Sequence, residues 1–188
     1  MNRWLDFGPK QIFRRKSISL YLKLLSVCLI VGLSILASGC KSGSSSGVSG
    51  SKAPSFTLKD FSGIEYSSEQ FEGKVVFIDF WASWCPPCRT AIPRVAALHE
   101  EYKDNDEVVI MGINLDQNRK QADDFIAEHS FSYITLVGGL SQVSQEYGVR
   151  GIPAFFIIDQ EGTIIKQYSG FTPRYESEWR EEINKLLN

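Results

Sequence analysis

The stretch of sequence that decides the fold reads Ile78-Asp79-Phe80-Trp81-Ala82-Ser83-Trp84-Cys85-Pro86-Pro87-Cys88. It continues an apolar run that starts at Lys74, and such a run predicts a β-strand buried on both faces. From Pro87 to Tyr102 the apolar residues recur at helical spacing, so a helix is expected to follow directly. The two cysteines therefore lie where a buried strand ends and a helix begins.

This position predicts reactive thiols. A helix N-terminus carries partial positive charge and unpaired N–H groups, which stabilise a thiolate and lower the pKa of a cysteine placed there. Cys85 is expected to attack a substrate disulfide, and Cys88, one turn into the helix, to resolve the mixed disulfide. Arg89 adds a positive charge that either supports the thiolate or points to solvent.

Two other readings of the cysteine pair compete with this one. A structural zinc site needs four ligands, and His99 lies about 16 Å along the helix from Cys88 at 1.5 Å per residue, which leaves only His129 to join the pair. A purely structural disulfide gains little from closing so short a loop. We therefore predict a redox-active pair, with no metal and no cofactor.

The remaining sequence predicts an α/β fold with a mixed central sheet and helices on both faces, because strands and helices alternate before a terminal hairpin. The further elements are a small N-terminal hairpin at 55–58 and 64–66, strands at 108–115, 133–137, 154–158 and 163–168, and helices at 120–128, 141–147 and 174–187.

The strand and turn at residues 78–88 resemble the active site of thioredoxin-fold proteins. Pro93 matches the proline that kinks the family's active-site helix, and residues 147–153 resemble its loop with a cis-proline facing the cysteines. The resemblance covers roughly residues 53–188. It implies that Pro153 is cis, so that the Ile152 backbone can pair with an extended substrate, and it assigns substrate binding to Trp84, Ile152 and Pro153.

The opening residues 53–60 and an inserted helix near 118–129 resemble the membrane-tethered, extracytoplasmic TlpA/ResA-like branch of that family. Many members of this branch reduce apocytochrome c, which implies a possible role in cytochrome c maturation. Those members typically carry a Glu three residues after the second cysteine, where this chain has Ala91. The sequence therefore favours general disulfide reduction over apocytochrome c as the substrate.

Asp79 is a single carboxylate in a strongly apolar strand. Burial of a charge is costly, so the pKa of Asp79 is expected to be raised. Such an acid suits a proton carrier for Cys88 during release of the mixed disulfide. The alternative is an acid at the exposed end of the strand, and the resemblance favours the catalytic role.

The first 52 residues are predicted to be a targeting signal followed by a flexible tether. Residues 1–39 carry six basic residues, one acidic residue and an uncharged apolar run at 24–37, as in a secretory signal peptide. The small residues before Cys40 resemble a bacterial lipoprotein signal, which implies lipidation of Cys40. The Ser/Gly-rich stretch at 40–52 predicts a flexible tether, so the domain at 53–188 is expected on the extracytoplasmic face of a membrane.

Residues 40–188 carry an excess of acidic side chains. They hold 14 Lys and Arg against 21 Asp and Glu, which gives a net charge of −7. This balance argues against nucleic acid as a partner. The expected partners are substrate proteins with disulfides, a membrane-embedded thiol electron donor and membrane lipid, and the protein is expected to act as a monomer.

The sequence as a whole predicts a lipid-anchored thiol–disulfide oxidoreductase with Cys85, Cys88 and Asp79 as catalytic residues. Pro86 and Pro87 have no N–H to donate to the Cys85 thiolate, which favours a reducing couple. Two other functions stay open. One is a thiol peroxidase, although Ala82 stands where those enzymes carry threonine. The other is a tethered thiol chaperone or binding module without redox turnover.

Overall fold

A five-stranded mixed sheet forms the centre of the protein, whose computed structural model describes residues 49–129 and 131–188. Its strands are β3 Val75–Trp81, β4 Val108–Asn114, β5 Ile134–Val137, β6 Ala154–Ile158 and β7 Ile164–Ser169, and they are preceded in the chain by β1 Thr57–Lys59 and β2 Glu65–Ser67. The strand order in the sheet is β5-β4-β3-β6-β7. Strands β3, β4 and β5 are parallel, whereas β6 and β7 run antiparallel to their neighbours.

The central strand β3 is buried along its whole length, because helices cover one of its faces and the N-terminal elements cover the other. Alternate residues serve alternate faces, as the twofold period of a strand requires. Phe77 packs on one face with Val95 and Trp179, whereas Ile78 packs on the other with Phe56. The apolar run therefore forms a doubly covered strand, as the sequence predicts.

The described residues contain four α-helices beside the sheet. They are α1 Pro86–Tyr102, α2 Arg119–His129, α3 Val143–Glu146 and α4 Tyr175–Leu187. Helices α1 and α4 share one face, where Val95 and Ile183 lie in one apolar cluster. Helix α2 joins this side through Phe125, which packs near Trp81. The short helix α3 packs on the opposite face through Val143. Helices thus lie on both faces, and the predicted α/β architecture is confirmed.

The predicted N-terminal hairpin is present as the antiparallel pair β1–β2. Its turn is held by Asp60, whose carboxylate accepts bonds from the N–H groups of Ser62 and Ile64. A one-turn 3₁₀ helix, Ser68–Phe71, follows β2 and was not predicted. Ser67 and Gln70 cap this turn reciprocally, and that Ser-x-x-Gln spacing is the signal that could have revealed it.

Residues 49–52, which the sequence assigns to the tether, run beside β7. The N–H of Gly50 donates to the carbonyl of Ile164 at 2.6 Å, and the N–H of Ile164 donates to the carbonyl of Ser51 at 2.8 Å. The hydrogen-bonded body therefore extends at least to Ser49. The predicted signal peptide, Cys40 and the tether up to residue 48 lie outside the described residues. Within 49–129 and 131–188, no helix has the length and apolar character needed to cross a membrane.

Candidate active site

Cys85 and Cys88 form a disulfide at the junction of β3 and α1. Cys85 is the N-cap of α1, with extended backbone angles of φ −92° and ψ 105°. Its sulfur accepts a hydrogen bond from the N–H of Cys88 at 3.3 Å. An N-cap side chain satisfies one of the unpaired donors of the first helical turn, and here a sulfur serves as that side chain.

The first two positions of α1 are Pro86 and Pro87, which have no N–H to offer. Proline is favoured at the start of a helix, because its fixed φ angle suits the first turn. The consequence for the chemistry is that the Cys88 N–H is the backbone donor that reaches the Cys85 sulfur. A thiolate on Cys85 would keep this bond and gain none from the two prolines.

Cys85 is the sulfur nearer the surface. Its neighbours Trp84 and Pro86 are exposed, and Trp84 shows 61% of its surface to solvent. Both cysteines are buried, but Cys85 keeps 3% of its surface exposed whereas Cys88 keeps none. An incoming substrate sulfur would therefore reach Cys85 first, and Cys88 is placed to react from inside.

The loop before β6 faces the disulfide. The peptide bond between Ile152 and Pro153 is cis, as the resemblance implies. The carbonyl oxygen of Ile152 lies 3.7 Å from the Cys85 sulfur. Four of the sequence-predicted site residues, namely Cys85, Cys88, Ile152 and Pro153, are thus brought together, with Trp84 at their exposed edge.

Asp79 lies in the middle of β3 and is completely buried. Among the residues that the structure describes, neither of its carboxylate oxygens has a hydrogen-bond partner. Burial raises the pKa of Asp79 well above its usual value, because desolvation penalises the charged carboxylate. Asp79 points to the same face as Phe77 and Trp81, which is the face that α1 covers.

Ala91 is also completely buried on that side, one turn of α1 beyond Cys88. This is the position where branch members carry a glutamate. On this face the strand contributes the carboxyl group of Asp79 and the helix contributes the methyl group of Ala91.

A buried polar network, which the sequence analysis missed, holds the segment that leads into Cys85. The Asp116 carboxylate accepts bonds from the N–H and the hydroxyl of Ser83, both at 2.8 Å, and from the side-chain amide of Asn114 at 2.6 Å. Arg89 donates through Nε to the Ser83 carbonyl at 2.6 Å and stacks its guanidinium 5.3 Å from the centroid of the Phe125 ring. Arg89 therefore links the segment at Ser83, which leads into Cys85, to the Phe125 ring of helix α2.

We expect Asp116→Ala to lower the free energy of unfolding by about 3 kcal/mol, because the buried Ser83 N–H and Asn114 amide would each lose their acceptor. The surface variant Asp124→Ala removes a carboxylate that pairs with Lys120 and should change stability by less than about 0.5 kcal/mol. Urea unfolding of both variants measures the difference. Equal stability of the two would contradict the assigned role of Asp116.

Within 49–129 and 131–188, no group of three or more His, Cys, Asp or Glu side chains lies together in a way that could hold a metal ion. His99 instead lies beside Tyr133, and His129 stacks on Phe125 with ring centroids 4.0 Å apart.

Residues 48–183 match the Redoxin family. The chain belongs to the Redoxin family. YneN, a thioredoxin-like protein of Bacillus subtilis (strain 168), is 30% identical over 136 residues, which is 72% of this chain and 79% of YneN. The thiol–disulfide oxidoreductase ResA of the same strain is 30% identical over 121 residues, 64% of this chain and 67% of that protein.

Solved structures agree with this assignment. The crystal structure of a proposed thiol:disulfide interchange protein DsbE from Chlorobium tepidum is 32% identical, with a TM-score of 0.70, over 74% of this chain and 98% of that one. Within the Redoxin family the chain is of the TlpA/ResA-like, thioredoxin-fold type. Its Cys85–Cys88 pair makes it a thiol–disulfide oxidoreductase.

Proposed function

We propose that the protein reduces disulfides of other proteins on the extracytoplasmic face of a membrane. The observation that carries this proposal is the Cys85–Cys88 disulfide at the start of α1, with Cys85 toward the surface and beside the Ile152 carbonyl. A substrate segment that pairs with the backbone of the half-buried Ile152 would bring its cysteine to the Cys85 sulfur.

The reducing direction is supported by the small number of backbone hydrogen-bond donors around the Cys85 sulfur. Stabilisation of the thiolate makes the reduced form of such a pair more stable and the couple more oxidising. Pro86 and Pro87 offer no N–H, so the Cys88 N–H is the backbone donor to that sulfur. A sparsely stabilised thiolate favours reduction of substrates, followed by re-reduction of the Cys85–Cys88 disulfide by a thiol donor.

The proposed substrates are disulfide-bonded proteins in general. Relatives named ResA and DsbE are thiol–disulfide oxidoreductases or interchange proteins. Ala91 replaces the branch glutamate, and Asp79 supplies a buried acid from the strand instead. This exchange weakens the case for apocytochrome c, so we propose disulfide-bonded proteins as a class and name no single substrate.

Insulin reduction by the full chain, with dithiothreitol as the electron donor, tests this function. We expect turnover at least about tenfold above dithiothreitol alone, since a substrate held beside Ile152 would present its disulfide to the Cys85 sulfur, whereas free dithiothreitol has no such positioning. Hydrogen peroxide, offered in place of insulin, should be consumed no faster than by a Cys85→Ala variant. Rapid peroxide turnover without insulin reduction would favour the peroxidase, and inactivity toward both would favour the chaperone or binding module.

The extracytoplasmic location rests on the sequence of the first 52 residues. If Cys40 carries the lipid, Cys40→Ala should release the protein from the membrane fraction while insulin reduction in vitro is unchanged, because an acyl chain contributes about 0.8 kcal/mol of membrane affinity per buried CH₂ group. Cell fractionation and mass spectrometry of the N-terminus measure both. Retention of Cys40→Ala in the membrane with an uncleaved N-terminus would instead indicate a transmembrane anchor.

A further inference from the structure

Three buried polar groups without partners surround Gly112 on the face that α1 covers. Gly112 lies directly opposite Asp79 in the register of β3 and β4. A Cβ atom at Gly112 would lie 3.0 Å from Nε1 of Trp81 and 3.1 Å from Cε2 of Tyr133. Within the described part of the chain, the Asp79 carboxylate, the Trp81 N–H and the Tyr133 hydroxyl all lack hydrogen-bond partners.

The absence of a side chain at Gly112 is what allows this arrangement. Any other residue would place its Cβ against the Trp81 indole and the Tyr133 ring at distances tighter than ordinary contact. The Tyr133 ring therefore lies over Gly112, which is the residue opposite Asp79 in the strand register. The ring atom nearest Gly112 is Cε2, the carbon next to the one that bears the hydroxyl. Burial and then the charge of Asp79 raise the pKa of Tyr133 well above its usual value, which leaves its hydroxyl a donor at all working pH values.

Few other titratable groups face this cluster. Strand β6 presents Phe155 opposite Asp79, and α4 presents Trp179, which packs on Phe155 with ring centroids 4.7 Å apart. Helix α1 brings Cys88 above the end of β3, and His99 lies with its ring centroid 6.3 Å from that of Tyr133. The Trp179 N–H is also buried without a partner in the described residues. Of these unpartnered donors, the Tyr133 hydroxyl and the Trp81 N–H belong to the two rings that flank Gly112, opposite Asp79.

We propose that Tyr133 is a positioning residue for Asp79, and that the Tyr133 hydroxyl donates a hydrogen bond to Asp79 when Asp79 is a carboxylate. The second donor is the N–H of Trp81, which lies two residues along the same strand as Asp79 and beside Gly112. This inference rests on the proposed role of Asp79 as the proton carrier for Cys88. A buried carboxylate with neutral donors nearby is easier to ionise than one without them.

The step that needs the carboxylate is the resolution of the mixed disulfide. Asp79 takes the proton from the Cys88 thiol, and the resulting thiolate attacks the Cys85 sulfur. The Cys85–Cys88 bond forms, the bond from Cys85 to the substrate sulfur breaks, and the substrate sulfur leaves as a thiolate with the electron pair. Two electrons pass from the cysteine pair to the substrate, and the leaving thiolate takes up a proton.

The test is the titration of the Asp79 carboxyl in the oxidised full-length protein, followed by carbon-13 NMR of labelled aspartate. Tyr133→Phe should shift the midpoint upward by about one pH unit, the loss expected for one hydrogen bond to a charged group. The matched control is Tyr168→Phe. Tyr168 also has a buried hydroxyl without a partner in the described residues, but it lies on β7, one strand beyond Phe155.

Three outcomes would overturn the proposal: no shift in Tyr133→Phe, a shift of equal size in Tyr168→Phe, or a downward shift. If Tyr133→Phe does not fold, 3-fluorotyrosine at position 133 serves as the second variant. It keeps the ring and makes the hydroxyl a stronger hydrogen-bond donor, so it should shift the Asp79 midpoint downward. The titration needs no turnover, so it separates this inference from the proposed function. If Tyr133→Phe shifts the Asp79 midpoint upward but Asp79→Asn resolves the mixed disulfide at the wild-type rate, Asp79 is not the proton carrier. The proposed hydrogen bond from Tyr133 to Asp79 would still hold.

Discussion

Replacing Cys88 by alanine is expected to lower multiple-turnover insulin reduction more than about 100-fold and to leave substrate proteins covalently attached to Cys85. Cys88 is buried behind the Cys85 sulfur, at the site from which it would attack a mixed disulfide. Without the Cys88 thiol the mixed disulfide has no internal nucleophile to break it. The Cys88 N–H that supports the Cys85 sulfur belongs to the backbone, so the first attack should survive the substitution.

The matched variant is Cys85→Ala, which keeps the buried thiol and removes the one toward the surface. It should also lose turnover but should form no adduct with a disulfide-bonded protein such as insulin. Non-reducing electrophoresis and intact mass measurement of the two variants distinguish the cases. Equal adduct formation by both variants would mean that Cys88 can attack directly, and the assignment of attacker and resolver from burial would be wrong.

The junction that carries this chemistry could be predicted from sequence because its signals are local. The apolar run before Trp81 predicts a buried strand, and the helical spacing after Pro87 predicts a helix. The boundaries differ from the structure by a residue or two, as hydrogen-bond fraying at element ends leads one to expect. The predicted helix at 141–147 is shorter in the structure, Val143–Glu146, because Ser141 bonds back to the Gly138 carbonyl instead.

The support around the site could not be predicted, since it depends on contacts between distant parts of the chain. Asp116 holds Ser83 from 33 residues away, and nothing in the local pattern distinguishes it from a solvated loop acid. The position of Tyr133 near Asp79 depends on the register that sets Gly112 opposite that acid. Register is a property of strand pairing, and a single sequence without its pairing partners does not specify it.

The proton-carrier role proposed for Asp79 predicts a cost in stability. Its carboxyl is completely buried, and no described residue bonds to its oxygens. Burial raises its pKa well above the usual value, so the folded protein holds a proton that the unfolded chain releases. Its contribution to stability is therefore complete below the unfolded pKa of about 3.9 and is lost as the pH rises toward the folded pKa.

Asp79→Asn removes this titration at nearly constant volume. We expect the variant to be more stable than the wild type at pH 7, by about 1.4 kcal/mol for each pH unit over which only the folded wild type holds the proton. Near pH 4 the two proteins should be almost equally stable. Guanidinium unfolding of the disulfide forms between pH 4 and 8 measures the difference, and Asp123→Asn, at an exposed ion pair with Arg119, is the control.

The same variant should resolve mixed disulfides more slowly, because an amide cannot take the proton from Cys88. We expect mixed disulfide on Cys85 to accumulate during insulin reduction, and the slowing to be about 10²-fold or more, the lower end of the usual contribution of general acid–base catalysis. A stability gain together with slower resolution would show that the buried acid is kept for its chemistry at a cost in stability. A wild type and variant with parallel pH–stability curves would contradict the raised pKa, and unchanged resolution kinetics between pH 6 and 9 would make Asp79 a structural residue only.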